Sequence, residues 1–100
     1  MHVQPDIAKR IKAIEKLKLE VLSTTNDIFQ AMGGESPAAS EAVGEMLSAL
    51  IVSTYRLGIT VGVSPKDMDR RAENRLRTLK AIHAEDMPPD IMALDGQFRT

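Results

Sequence analysis

The sequence predicts an all-α fold: an antiparallel three-helix bundle with a long N-terminal helix and a short C-terminal helical tail. Three observations predict it. Apolar residues recur every three or four positions along most of the chain, the spacing of one helix face. Prolines stand where helices open, at Pro5, Pro37 and Pro65, and the first helical position tolerates the missing N–H. Glycines punctuate the sequence at Gly33-Gly34 and Gly58, where helices commonly stop.

The first helix is expected over about 5–32. Ile7, Ile11, Ile14, Leu17, Val21, Leu22, Ile28, Phe29 and Met32 make its apolar positions. Lys9, Arg10, Lys12, Glu15, Lys16, Lys18 and Glu20 fill most of the others. Such a helix spans about 40 Å, so it needs a long partner, either its own chain or a second copy. The second helix is expected over about 37–57, capped by Ser36 and ended by Gly58. Ala39, Val43, Met46, Leu47, Leu50, Ile51, Thr54 and Leu57 form one wide face. Val52 and Tyr55 sit on the opposite line, so the helix is partly apolar on both sides, as central or subunit-contact helices are. Residues Ile59 to Val63 read as an extended connection.

The third helix is expected over about 65–85. Ser64 caps it, Pro65 opens it, and Asp67 stands three residues after the cap. Met68, Ala72, Leu76, Leu79 and Ile82 form its stripe. The tail, 88–100, carries Ile91, Met92, Leu94 and Phe98 on a short turn of helix closed by Gly96. It is too apolar to be idle, so it packs on the bundle or on a partner. One domain covering 1–100 is expected.

Composition narrows the function classes. The net charge is −1, from 13 basic and 14 acidic side chains, which is not the basic balance of a generic nucleic-acid binder. Phe29, Tyr55 and Phe98 are too few aromatics for stacking single strands. With no cysteine, disulfides and thiolate metal sites are excluded. The start of the sequence lacks a signal-peptide pattern, and no stretch reaches the roughly 18 apolar residues a membrane span needs. A cytoplasmic protein without membrane contact is the expectation.

Few residues suggest chemistry. Glu41 and Glu45 lie four apart, on one side of the second helix, and are the candidate magnesium ligands. The plainer reading is a solvated face. Arg75 lies close to the third helix's stripe, either as a phosphate or carboxylate clamp, or as a member of an ion pair across helices or an arginine snorkelling at the stripe's edge. His2 and His83 each stand alone, without a neighbouring nucleophile or second ligand. No phosphate loop, serine elbow or His-x-x-x-His pair is present. Residues Leu57 to Arg71 look a little like half of a helix-turn-helix. The preceding helix is much longer than that motif uses, and Arg71 stands where a recognition helix packs an apolar residue.

The run Glu41-Ala42-Val43-Gly44-Glu45-Met46-Leu47, followed after about ten residues by Leu57-Gly58-Ile59, resembles the centre of MazG-type nucleotide pyrophosphohydrolases. Arg71, Asn74 and Arg75 are similar to the family's phosphate-contacting residues. The resemblance covers about Ser40 to Arg77. It implies an all-α dimer or tetramer that cleaves nucleoside triphosphates with magnesium held by several acids. Ala42 stands where the family's first acid of this helix should be, and Glu20 is followed three residues on by Ser23. Most of the family's metal-ligand acids are therefore missing.

These readings favour a small helical interaction or regulatory protein that binds protein and does no catalysis. It would be a homo-oligomer with an unidentified protein partner and no cofactor, its subunit contact made by Ile7, Ile11, Ile14, Val21, Ile28, Val52 and Tyr55. The alternative is a divergent MazG-like pyrophosphohydrolase or nucleotide binder, with magnesium on Glu41 and Glu45 and nucleotide on Arg71, Asn74 and Arg75. A third reading is DNA binding through the third helix.

Overall fold

The structure, a computed structural model, describes residues 5–33 and 37–98. Among them the chain is all-helical, with four helices and no strand: α1 (Pro5–Ala31), α2 (Pro37–Thr60), α3 (Pro65–Ile82) and α4 (Pro89–Gln97). The expected three helices and tail become four helices, because the tail's Pro88-Pro89 opens a helix of its own. The chain divides into two compact units, Met1–Ser64 and Pro65–Thr100. Each is a helix pair, so α1 with α2 and α3 with α4 replace the three-helix bundle expected from the sequence.

In the first unit α1 and α2 run antiparallel. Leu17 and Ile28, two of the expected apolar positions, are buried, at 4% and 3% exposure. Val43, Met46, Leu50 and Leu57 of α2 are half-buried. Ser53 and Gly58 are buried as well, and such small residues let helices approach closely. The proposed cap Ser36 and the glycine Gly34 lie outside the described residues, as does His2.

The end of α2 corrects the sequence reading. The helix passes through Gly58 and continues to Thr60. The stop is Gly62, whose φ of 91° is the positive value a left-handed cap requires. The N–H of Val63 donates to the carbonyl of Gly58 at 2.8 Å, and that of Gly62 to Ile59 at 3.1 Å. This pair of bonds is a Schellman motif. Two glycines four residues apart offered two possible stops. Helical hydrogen bonding carried the backbone past the first, so Ile59–Val63 is helix end and turn, not an extended connection.

With Ile59 and Thr60 added, Ser40–Thr60 is long and apolar enough to cross a membrane, by length and composition. The expectation that no stretch meets that test is corrected accordingly. Strict runs of apolar residues miss a helix whose polar positions are mostly Ser, Thr and Gly. The core helix of a soluble protein passes the same test but is mostly buried, whereas α2 packs against α1 and leaves most of its side chains exposed.

In the second unit Leu76 of α3 and Ile91 of α4 are buried, at 5% and 6% exposure. Lys80 donates to Asp95 at 2.8 Å, a partly buried ion pair joining the two helices. The third helix ends at Ile82, short of the expected 85, and residues 83–86 form a turn in which the Asp86 N–H donates to the His83 carbonyl. Pro88, with φ −63° and ψ 146°, precedes α4, and Pro89 occupies its first turn. Gly96 does not close the tail: α4 runs to Gln97, and Phe98 caps it, its N–H directed to the carbonyls of Gly96 and Leu94.

Candidate functional site

The α1–α2 hairpin has two unlike flanks. A helix turns about 100° per residue. Counting from Leu17, which faces α2, the residues Ile7, Ile11, Leu22 and Phe29 fall on one flank of α1. Counting likewise from Ser53, Leu47 and Ile51 fall on that flank of α2. All six are exposed, from 45% at Leu47 to 69% at Phe29. The opposite flank carries Lys16, Glu20 and Asp27 of α1 with Glu41, Glu45 and Arg56 of α2.

The charged flank holds the two acids that sequence reading singled out, together with Glu20 and Asp27. Glu41 and Glu45 are exposed, one turn apart on α2. Asp27 lies near the end of α1, beside the start of α2. Glu20 is already engaged, accepting from Arg56 Nη1 at 3.4 Å. Among the described residues no three His, Asp or Glu side chains come together as a metal-holding group. Magnesium demands near-octahedral oxygen coordination, and two carboxylates serve it only when waters and substrate phosphates supply the rest. These residues therefore do not fit a magnesium held by protein oxygens alone.

Near this flank the hairpin forms a cleft of about 440 Å³, lined by Ala13, Lys16, Leu17, Arg56, Ile59 and Thr60. Arg10 stands close by, its Nε donating to the Thr60 carbonyl at 2.9 Å. The cleft was missed in sequence reading because its lining comes from two helices. The signal available was the basic stretch Lys9, Arg10, Lys12, Lys16 and Lys18, which outweighs Glu15 and Glu20.

The basic residues of α3 belong to the second unit. Arg71, Asn74 and Arg75 are exposed, on the side away from the buried Leu76. Arg71 donates through Nε to Asp67 at 2.8 Å, and Arg70 pairs with the same carboxylate. The Arg71 and Arg70 hydrogen bonds hold the Asp67 carboxyl below its ordinary pKa, and Asp67 in turn raises that of Arg71. Asn74 accepts from Arg77 Nη1 at 3.1 Å, and Arg77 also pairs with Glu73. Arg75 is exposed. His83 is half-buried in the turn after α3.

The expected contact residues divide three ways. Ile7 and Ile11 are exposed on the apolar flank, at 52% and 57%. Ile14 and Val21 are half-buried, and Ile28 is already covered within the hairpin. Val52, 57% exposed, falls on the charged flank between Glu41 and Glu45, and the half-buried Tyr55 on the outside of α2.

A family model described as the MazG-like family matches residues 7–90. The match takes in both helices of the hairpin and α3, well beyond the segment whose motifs first suggested the resemblance. No curated protein and no solved structure matches the chain. With the family model covering most of its length, the chain belongs to the MazG-like family.

Proposed function

We propose that this MazG-like protein is a homo-oligomeric helical binding protein that acts through protein contact and not through catalysis. One observation carries the reading. The α1–α2 hairpin buries Leu17 and Ile28 while leaving Ile7, Ile11, Leu22, Phe29, Leu47 and Ile51 on one exposed flank. Exposed apolar residues gathered in this way, here on either side of the exposed Lys18–Glu15 pair, mark an interaction site. A second copy of the hairpin is the occupant that fits, because two such flanks are equally long and equally apolar. A two-fold contact would set one against the other. A protein partner would be met by α3 or α4.

The donor set supports the non-catalytic part of the reading. Among the described residues Glu41 and Glu45 form no metal-holding group of three with the other acids of their flank, and Ala42 brings no oxygen. The test is the mass in solution of the native protein beside Ile11→Glu and Phe29→Glu variants. Oligomers that fall to monomers in the variants support the reading.

The family match favours a second reading, a divergent nucleoside triphosphate pyrophosphohydrolase or nucleotide binder. In it Glu41 and Glu45 would meet a magnesium–nucleotide complex, and Arg71, Asn74 and Arg75 its phosphates. Pyrophosphate release from a nucleotide panel with magnesium, lost in a Glu41→Ala/Glu45→Ala variant, would establish it. DNA binding through α3 has less support. The preceding helix has 24 residues, and Arg70 and Arg71 are both tied to Asp67.

A further inference from the structure

We propose that α3 carries a docking seam for an amphipathic helix of a different protein, one with a carboxylate in the middle of its apolar face, and that Arg75 selects it. The inference rests on the reading of the chain as a protein-binding protein, and not on its homo-oligomer. The apolar stripe of α3 splits in the structure. Leu76 is buried, and Lys80, one turn on, pairs with Asp95 of α4. Counting about 100° per residue from Leu76, Met68, Ala72, Leu79 and Ile82 fall together on the flank away from Lys80. Arg75 falls among them. Met68 is half-buried, and Ala72, Arg75, Leu79 and Ile82 are exposed, Ile82 at 69%. Counted likewise from Ile91, the exposed Leu94 of α4 lies on the same flank.

Met68, Ala72, Arg75, Leu79 and Ile82 follow one another at alternating steps of four and three residues. That is the spacing of a seam that takes a second helix, and apolar anchors at such steps are how a helix is held in a groove.

Charge decides which helix fits. Arg75 has no hydrogen bond or ion pair among the described residues, whereas Arg70, Arg71 and Arg77 are each tied to a carboxylate. A helix laid on the seam covers Arg75, and a guanidinium taken out of water without a partner is costly. The incoming helix must therefore bring a carboxylate at the middle of its own apolar face. A second copy of α3 brings the opposite. Arg75 stands at the midpoint of the seam, so α3 laid in register on α3 sets Arg75 against Arg75 whether the two run parallel or antiparallel, and facing like charges repel. One polar position inside an apolar seam fixes partner and register in coiled coils by the same means.

The experiment titrates synthetic helical peptides of about three heptads, apolar along one face, into the full chain and follows methyl NMR. One peptide carries Glu at the centre of that face and the other Lys. The Glu peptide is expected to shift the Met68, Leu79 and Ile82 methyl signals in a saturable way. The Lys peptide is expected to bind at least about tenfold more weakly. Arg75→Glu is expected to reverse that order, and because Arg75 is exposed, circular dichroism should show the variant folded. Phe29→Glu, on the hairpin, is expected to leave peptide binding unchanged whatever it does to the mass of the protein, so failure of the oligomer and failure of the seam are told apart. Equal binding of the two peptides, an order that Arg75→Glu does not reverse, no saturable shifts, or shifts confined to the α1–α2 hairpin would each overturn the proposal. So would an oligomer that Ile82→Glu dissolves, since a second copy would then occupy the seam.

Discussion

The guanidinium of Arg10 holds the carbonyl oxygen of Thr60 across 2.9 Å, joining the start of α1 to the last residue of α2. The bond does two things at once. It places a cation at the negative end of α2, and it locks the antiparallel register of the hairpin from its open end. Arg10→Ala is expected to lower stability by about 0.5–1 kcal/mol. Arg10→Lys should recover part of that, since the charge remains while the planar fork is lost. Urea denaturation of the three proteins checks the order.

Gly62 and Gly44 should respond to alanine with opposite signs. Gly62 has φ 91° at the Schellman turn, and a side chain there costs about 1 kcal/mol. Gly44 sits inside α2 with no atom near an added Cβ, so Gly44→Ala should stabilise by about 0.5–1 kcal/mol. Thermal unfolding of the two variants should move the midpoint down in one and up in the other.

Much of the fold was legible in the sequence, because local rules govern it. The proline starts at Pro5, Pro37 and Pro65 and the apolar spacing of α1 placed three helices closely. What escaped was set by longer-range terms. Nothing local distinguishes Gly58 from Gly62 as the stop of α2, since only the hydrogen-bonded turn decides it. Ala42 and Ser23 made the family's acid pattern look incomplete, and the visible resemblance began at Ser40, although the family match begins in α1. The cleft between Lys16 and Arg56 joins residues forty positions apart, which periodicity cannot see.

Leu17 is the better guide to the hairpin's core, because it meets α2 with 4% exposure. Leu17→Ala should cost about 2–5 kcal/mol, the range for emptying a buried leucine position. Leu19→Ala, at 67% exposure, should cost far less. Chemical denaturation of the pair separates core from surface.

Asp67 introduces a dependence on pH. Its native carboxyl titrates below the ordinary value because Arg71 and Arg70 donate to it. A lowered native pKa adds stability that is present above the unfolded value, about 3.9. That contribution is lost as pH falls through the lower native value. The stability gap between the native protein and Asp67→Asn should therefore be open at pH 7 and narrow as pH drops below about 4. Midpoints of denaturation at stepped pH give the comparison.

The central claim is that the exposed flank of the hairpin is covered by a second copy of the chain. Sedimentation of the native protein at roughly tens of micromolar, beside a Phe29→Glu variant, tests it most directly, because oligomerisation follows mass action. A dimer or larger assembly is predicted for the native chain, with a folded, helical monomer for Phe29→Glu. A native chain that sediments as a monomer at that concentration would contradict the account.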